Sequence, residues 1–170
     1  QLLDICPKID ECLSRNSKKL QQLAQTTRDK HDFYYIARGI NFAIAAEGAL
    51  KMKEISYVHA EGMPAGELKH GTLALIEKDT PVIVICPQDY TYEETVANAH
   101  ETKARGAFVV GVSEEMNPIF DEWIEIPQVD EVFQPLVTVV PLQLLAYYSA
   151  LARGRDPDKP RNLAKSVTVK

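Results

Sequence analysis

Two carboxylates and an ammonium fall on one side of a predicted helix over residues 40–56. At about 100° per residue, Glu47, Lys51 and Glu54 share one stripe, which is apolar in its first turn. A partly buried carboxylate beside an ammonium is a pair whose pKa values proteins tune for acid–base work. The alternative is a row of exposed ion pairs, each worth about 0.2–0.5 kcal/mol. The stripe therefore predicts either proton transfer or modest helix stabilisation.

His70 is a second group able to move a proton, because the unperturbed pKa of histidine is about 6.5. It lies in the segment 65–71, between the helix and the next strand, and the alternative is a surface histidine without a chemical role. Glu67, with His59 and Glu61 nearby, could also supply metal ligands. The sequence holds no second Glu-x-x-His pair, which a two-metal helical site would need. We therefore expect no metal and no other cofactor.

Lys165 is the third candidate and lies in a basic tail. Residues 153–170 carry six basic and two acidic side chains. A lysine amine can form an imine with a carbonyl substrate or hold an anion. The alternative is an ordinary solvated lysine.

The elements that must position these groups alternate between helices and short apolar strands. Periodic Leu and Ile predict a helix over the first thirty residues, interrupted at Pro7 and at Asn16-Ser17. Further helices are predicted at 40–56, 91–105 and 132–152, and strands at 33–37, 81–87, 107–112 and 123–126. Continuous apolar strands between helices are typical of an α/β fold with a doubly wound parallel β-sheet flanked by helices on both faces.

The loops that would hold a phosphate in such a sheet do not look suited to it. Ligands bind beyond the carboxyl ends of the strands, where glycines and a helix N-terminus suit a phosphate. The loops at 38–41, 87–91 and 113–115 contain no glycine-rich phosphate motif, and two of them are acidic. The sequence therefore predicts acid–base groups without a phosphate cradle.

Length and composition limit the class of protein. The chain has 170 residues, of which 45% are apolar, so it can bury the core of a single domain. This apolar content excludes a disordered chain, and three cysteines are too few for a fold held together by disulfides. A formal charge of −5 argues against a nucleic-acid binder.

The cysteines and the apolar segments point to the cytoplasm. Cys6, Cys12 and Cys86 have no C-x-x-C spacing, and we expect reduced thiols packed as small apolar groups. The first residues do not resemble a secretory signal. The segment 132–152 has no charge but contains two prolines and several polar residues, so we expect a buried, kinked helix of a soluble protein rather than a membrane span.

Several motifs together resemble the glucosamine-6-phosphate synthase family, in its C-terminal isomerase region. They are EGALKMKEISY at 47–57, HAE at 59–61, AGELKHG at 65–71, PLQLLAY at 141–147 and PRNLAKSVTV at 160–169. The resemblance runs in order from about residue 33 to residue 169. Within that region the chain resembles the second sugar-isomerase (SIS) domain, a flavodoxin-like three-layer sandwich. It implies a SIS domain at 32–154, preceded by a helical segment at 1–31 and followed by a tail at 155–170 that reaches an active site.

The resemblance implies a reaction and a set of partners. Members of the family convert fructose 6-phosphate and glutamine-derived ammonia into glucosamine 6-phosphate, and they carry a glutaminase domain and a first SIS domain that holds the sugar phosphate. We therefore expect those domains as partners, a homodimer, and little or no synthase activity from this chain alone. The alternatives are a regulatory phosphosugar-binding SIS module, or a sugar-phosphate deglycase or isomerase without a glutaminase.

The resemblance also implies a role for each candidate residue. Glu54 would move the proton between C1 and C2, supported by Lys51 and Glu47. His70 would assist ring opening in the site of the neighbouring subunit. Substrate binding would fall to the tail, where Lys165 would engage the C2 carbonyl as an imine beside the backbone of Ala164.

Overall fold

Five parallel strands form one sheet in the computed structural model, which describes residues 2–162. The strands are β1 (Asp32–Ala37), β2 (His59–Pro64), β3 (Pro81–Ile85), β4 (Phe108–Ser113) and β5 (Glu122–Glu125). Their order in the sheet is β2-β1-β3-β4-β5, and in the register Tyr35 of β1 pairs with Gly62 of β2 and with Ile83 of β3. The predicted parallel α/β fold is confirmed, and its order is that of the flavodoxin-like folds.

Helices cover both faces of the sheet. One face carries α1 (Ile5–Thr26), α2 (Asn41–Ser56) and α4 (Gln134–Ala152), with α4 packed against both of the others. The opposite face carries α3 (Tyr92–Lys103) and a 3-10 turn at Ala65–His70. Each central strand is therefore buried on both faces of the sheet, which explains why its residues are continuously apolar rather than alternately apolar and polar.

The core is divided by the sheet into two apolar clusters. Alternate residues of β1 point to opposite faces: Tyr35 packs with α2 and α4, whereas Tyr34 packs with α3. β3 divides in the same way, with Ile83 on the first face and Val84 on the second. The first cluster packs α2 against the sheet, and α2 carries the predicted acid–base stripe.

Helix α1 is continuous, so the predicted interruptions at Pro7 and Asn16 are wrong. Pro7 lies in the first turn, where a backbone N–H has no partner within the helix. Asn16 is buried, and its amide donates to the carbonyls of Cys12 and Glu125 at 2.8 and 2.7 Å. The asparagine therefore joins α1 to β5 instead of ending the helix.

The uncharged C-terminal helix contributes to the core, as predicted. Within residues 2–162, Glu131–Ala152 is the one helical segment long and apolar enough to cross a membrane by length and composition. One side of α4 is nevertheless buried against α1 and α2, and the helix runs without interruption through Pro141. The buried apolar residues on this side are Val137, Leu142, Leu145, Ala146 and Ala150.

Two of the three cysteines pack as small apolar groups, and the third does not. Cys12 and Cys86 are buried, whereas Cys6 is exposed on the first turn of α1, contrary to the prediction. Burial raises the pKa of Cys12 to about 11, and it also raises the pKa of Cys86. Both buried thiols therefore stay protonated and unreactive at neutral pH.

Candidate functional site

The predicted stripe on α2 forms a compact group of three charges. The Lys51 ammonium donates a hydrogen bond to Glu54 Oε2 at 2.6 Å and lies 3.5 Å from Glu47 Oε1. The three side chains are between 24% and 38% exposed, so they lie at the edge of the packed helix rather than in open solvent. The structure therefore brings together the three residues that the sequence placed on one stripe.

The charge of Lys51 is stabilised by its neighbours. The hydrogen bond to Glu54 raises the pKa of Lys51, and the Glu47 carboxylate adds to this, against a smaller opposing effect of burial. The ammonium is therefore retained at neutral pH, beside two carboxylate side chains. A fixed cation next to a carboxylate can stabilise negative charge that develops on a substrate during proton transfer.

Packing of the opposite side of α2 fixes where this group lies. Ala45, Gly48, Ala49 and Met52 are buried against the sheet and α4. A Cβ atom on Gly48 would lie 2.9 Å from Leu142 Cδ1, so the two helices approach closely at this glycine. The close approach leaves α2 little freedom to rotate, and the charged stripe keeps its position at the edge.

Glu54 lines an open pocket at the end of α2. The pocket has a volume of about 370 Å³. Its lining residues are Leu50, Lys53, Glu54, Tyr57, Arg161 and Asn162. The described part of the chain thus ends beside the Glu54 carboxylate, with Asn162 in the pocket wall. The predicted substrate-binding residues Ala164 and Lys165 lie outside the described residues.

His70 lies far from Glu54 within one chain. Glu54 precedes the amino end of β2 by five residues, whereas His70 ends the 3-10 turn that follows the carboxyl end of the same strand. Six residues of β-strand span about 20 Å. The His70 side chain is 73% exposed, and its Nε2 atom lies 4.0 Å from Glu67 Oε2. The structure does not bring the predicted acid–base residues into a single site within one chain.

The candidate metal ligands are also apart. His59 Nδ1 lies 2.9 Å from Asp32 Oδ1 at the amino end of the sheet, whereas Glu67 and His70 lie beyond its carboxyl end. Among residues 2–162, no three His, Cys, Asp or Glu side chains are grouped so that they could hold a metal ion.

Polar side chains at the carboxyl ends of the strands are engaged with one another. Arg38 Nη1 donates to Glu94 Oε2 at 2.8 Å, and its Nε donates to Asn98 Oδ1 at 3.1 Å. Asp89 accepts hydrogen bonds from Asn41 Nδ2 and from the backbone N–H of Thr91. These carboxylates would repel a phosphate, in agreement with the acidic loops noted in the sequence.

Of the residues that line the Glu54 pocket, the sequence singled out only Glu54. Among those that it missed, Tyr57 and Arg161 contact each other directly. The Arg161 backbone N–H donates to Tyr57 Oη at 2.8 Å, although the two residues are 104 positions apart. Tyr57 directly follows the predicted helix, and this closeness to Glu54 was the available signal. For Arg161, the signal was its place just before the tail motif.

Comparison with known proteins identifies the domain and its relatives. The SIS domain model matches residues 27–153. The isomerising glutamine–fructose-6-phosphate aminotransferase of Thermococcus kodakarensis is 54% identical over 96% of this chain and 27% of its own length. The same enzyme of Pyrococcus horikoshii is 48% identical over 99% of this chain and 29% of its own length. The chain therefore spans less than a third of the curated relatives that it matches.

A solved structure shows the same arrangement. The C-terminal domain of glucosamine-fructose-6-phosphate aminotransferase from Francisella tularensis superposes with a TM-score of 0.87 at 36% identity. The match covers 93% of this chain and 45% of that one. The Francisella domain is thus about twice as long as the present chain.

Proposed function

This chain belongs to the SIS domain family, and from this we propose that it is the second SIS domain of an isomerising glutamine–fructose-6-phosphate aminotransferase. Its partners within the full-length protein would be a glutaminase domain and a first SIS domain, and its substrate and product would be fructose 6-phosphate and glucosamine 6-phosphate. The observation that carries the proposal is the ion pair of Lys51 with Glu54. Glu54 lines a pocket together with Asn162, which precedes Lys165 by three residues.

The proposed chemistry needs a base that can reach two adjacent carbons. Ammonia replaces the C2 carbonyl oxygen as an imine and releases water. Glu54 then removes a proton from C1 and delivers one to C2, while the proton of the C1 hydroxyl passes to the nitrogen, which leaves an aldehyde at C1 and an amine at C2. A carboxylate on a rigid helix suits this transfer, and the Lys51 ammonium stabilises the negative charge that develops between the two steps.

Lys165 would prepare the substrate for this transfer. Its amine would first form an imine at C2, with the backbone of Ala164 beside the sugar and the carbonyl oxygen leaving as water. Ammonia would then displace the lysine amine from C2, so that one water is released in all. Asn162 lines the Glu54 pocket, and three residues of chain span at most about 10 Å, so the length of chain between them allows Lys165 to reach Glu54. Glu47 would hold Lys51 from the other side.

We place His70 in the site of a second subunit. It lies about 20 Å from the Glu54 of its own chain by the length of β2, and it is exposed on the surface. A twofold dimer that brings this surface against the Glu54 pocket of a partner would complete two equivalent sites. The protein would then be a homodimer in which ring opening and proton transfer use different chains.

The regulatory alternative has less support. A phosphosugar-binding module needs its own phosphate loop. Here the carboxyl ends of the strands are bordered by Asp89 and Glu114 in loops and by Glu94 in the first turn of α3, each engaged with neighbouring polar groups. Such a module would also have no use for a Lys51–Glu54 pair beside the tail.

Substitution of Glu54 tests the proposal in the full-length protein. Glu54→Gln keeps an acceptor for Lys51 but cannot take a proton, so formation of glucosamine 6-phosphate should fall at least about 100-fold while glutamine hydrolysis continues. Glu93→Gln, on the exposed side of α3, is the matched control and should leave both reactions unchanged. Retention of sugar isomerisation by Glu54→Gln would refute the role of Glu54.

A further inference from the structure

Tyr57 occupies a backbone conformation that its residue type disfavours. It ends α2 with φ 57° and ψ 35°, in the left-handed region where glycine or asparagine is more usual. A tyrosine in this conformation costs free energy, which contacts of the side chain must offset. The hydrogen bond and the two cation–π contacts of this side chain are made with the segment that leads into the C-terminal tail.

The tyrosine ring and hydroxyl hold two arginines of that segment. The guanidinium of Arg161 lies 4.3 Å from the ring centroid, and that of Arg155 lies 5.4 Å away. Both distances fall within the range of cation–π attraction. The hydroxyl in addition accepts the hydrogen bond from the Arg161 backbone N–H at 2.8 Å. One side chain therefore fixes both the backbone and the side chain of residue 161.

A separate contact fixes the beginning of the same segment. Arg153 Nη2 donates to the carbonyls of Thr27 and Lys30, at 3.0 and 2.8 Å. The segment from 153 to 161 is thus tied to the domain at both ends. The contact of Arg161 with Tyr57 lies in the pocket that contains Glu54, whereas Arg153 lines a different pocket.

We propose that Tyr57 is a positioning residue that fixes the start of the C-terminal tail relative to Glu54. Tyr57 follows Glu54 by three residues, and Arg161 precedes Lys165 by four. The tyrosine therefore links the helix that carries the proton-transfer carboxylate to the segment that carries the imine-forming amine. This inference rests on the proposed function, but the contact itself can be tested without enzyme activity.

Limited proteolysis of the 170-residue chain tests the contact. Trypsin must capture the Arg161 side chain to cleave the 161–162 bond, and stacking on Tyr57 opposes this capture. Cleavage after Arg105, on the other face of the sheet, serves as the internal reference. Relative to this reference, we expect Tyr57→Leu to raise the rate of cleavage after Arg161 about tenfold. Tyr57→Phe keeps the ring and should speed it only about threefold.

Two further variants separate the ring from other effects. Tyr57→Asn relaxes the left-handed backbone but removes the ring, so it should behave like Tyr57→Leu. Tyr147→Leu removes an exposed tyrosine of α4 and should leave the cleavage rate at the wild-type value. A wild-type rate in both Tyr57→Leu and Tyr57→Asn would overturn the proposal.

Kinetics of the full-length protein test the positioning role. Tyr57→Leu should lower kcat for glucosamine 6-phosphate about tenfold and change the KM for fructose 6-phosphate less than about twofold, since Tyr57 orients catalytic groups rather than binding the sugar. Tyr57→Phe should recover most of the loss, and glutamine hydrolysis should not change. An unchanged kcat beside faster proteolysis would overturn the positioning role. If the wild-type protein forms no product, the proposed function fails, while proteolysis still decides the contact.

Discussion

Lys51 shows how neighbouring charges set the properties of a single group. Its raised pKa means that the folded chain binds this proton more tightly than the unfolded chain does. The resulting stabilisation is complete below the ordinary lysine value of 10.5 and is lost as the pH rises through the higher value of the folded state. Across the neutral range the Lys51 ammonium is therefore a constant feature of the site.

Glu114 has the opposite effect on the stability of the fold. Burial raises its pKa above the ordinary value of 4.5, and the nearby Asp89 and Glu115 carboxylates add to this. The folded state therefore binds the proton more tightly than the unfolded state, and the free energy of unfolding falls as the pH rises from 4.5 through the folded value. At neutral pH the ionised Glu114 destabilises the fold.

Glu114→Gln should remove this penalty. The amide oxygen can still accept the hydrogen bond that the Gln88 backbone N–H donates at 2.9 Å. We expect a higher free energy of unfolding at pH 7 and a flatter dependence on pH above 4.5, measured by urea unfolding at several pH values. Glu93→Gln, at an exposed position of α3 that does not contribute to the raised pKa of Glu114, is the control. A lower stability of Glu114→Gln at pH 7 would contradict the assignment.

The candidate site was predictable from the sequence as far as one helix extends. Glu47, Lys51 and Glu54 are neighbours because the helical repeat makes them so, and their contacts follow directly. The contact of Tyr57 with Arg161 joins residues 104 positions apart, and no local pattern records it. The distance between His70 and Glu54 likewise depends on the direction of β2.

At the scale of elements, strand β2 was not predicted from the sequence, because it lies at the edge of the sheet. Its sequence, HAEGMP, contains a glycine, a proline and two ionisable residues, and only Ala60 and Met63 are buried. Strand prediction depends on β-branched or alternating apolar residues, which a short edge strand does not need. The central strands β3 and β4 are buried on both faces and were predicted for that reason.

The close contact between β4 and the loop before β5 requires a residue without a side chain, Gly111. A Cβ atom on Gly111 would lie 2.3 Å from the ring of Phe120, which is buried. Gly111→Ala should therefore lower the free energy of unfolding by about 2 kcal/mol through overpacking. Phe120→Leu makes room at this position and costs about 1 kcal/mol by itself.

The double variant tests whether this contact is responsible. Gly111→Ala combined with Phe120→Leu should be at least about 1 kcal/mol more stable than the sum of the single effects predicts. Urea unfolding of the four proteins measures this coupling. Additive effects would show that Gly111 is required for another reason, such as the conformation of its strand.

At the scale of the whole molecule, the parallel sheet separates the two groups proposed for proton transfer and for ring opening. Helix α2 runs back from the carboxyl end of β1, so its last turn, with Glu54, lies at the amino ends of the strands. His70 follows the carboxyl end of β2 and lies at the opposite end. Every βα unit of this fold has the same direction, so no rotation of side chains within one chain can join the two groups. If both act on one sugar, two chains must supply them.

Mixed dimers of the full-length protein test this arrangement. Glu54→Gln and His70→Gln should each abolish synthesis of glucosamine 6-phosphate when tested alone. In a random dimer formed from equal amounts of both, half of the molecules are mixed, and each has one intact site and one doubly altered site. About a quarter of the wild-type activity should then return. A mixture of Glu54→Gln with Lys51→Met is the control and should stay inactive, since both residues belong to the same chain's half of the site. Failure of the first mixture to recover activity, with mixed dimers detected by native mass spectrometry, would contradict a site shared between subunits.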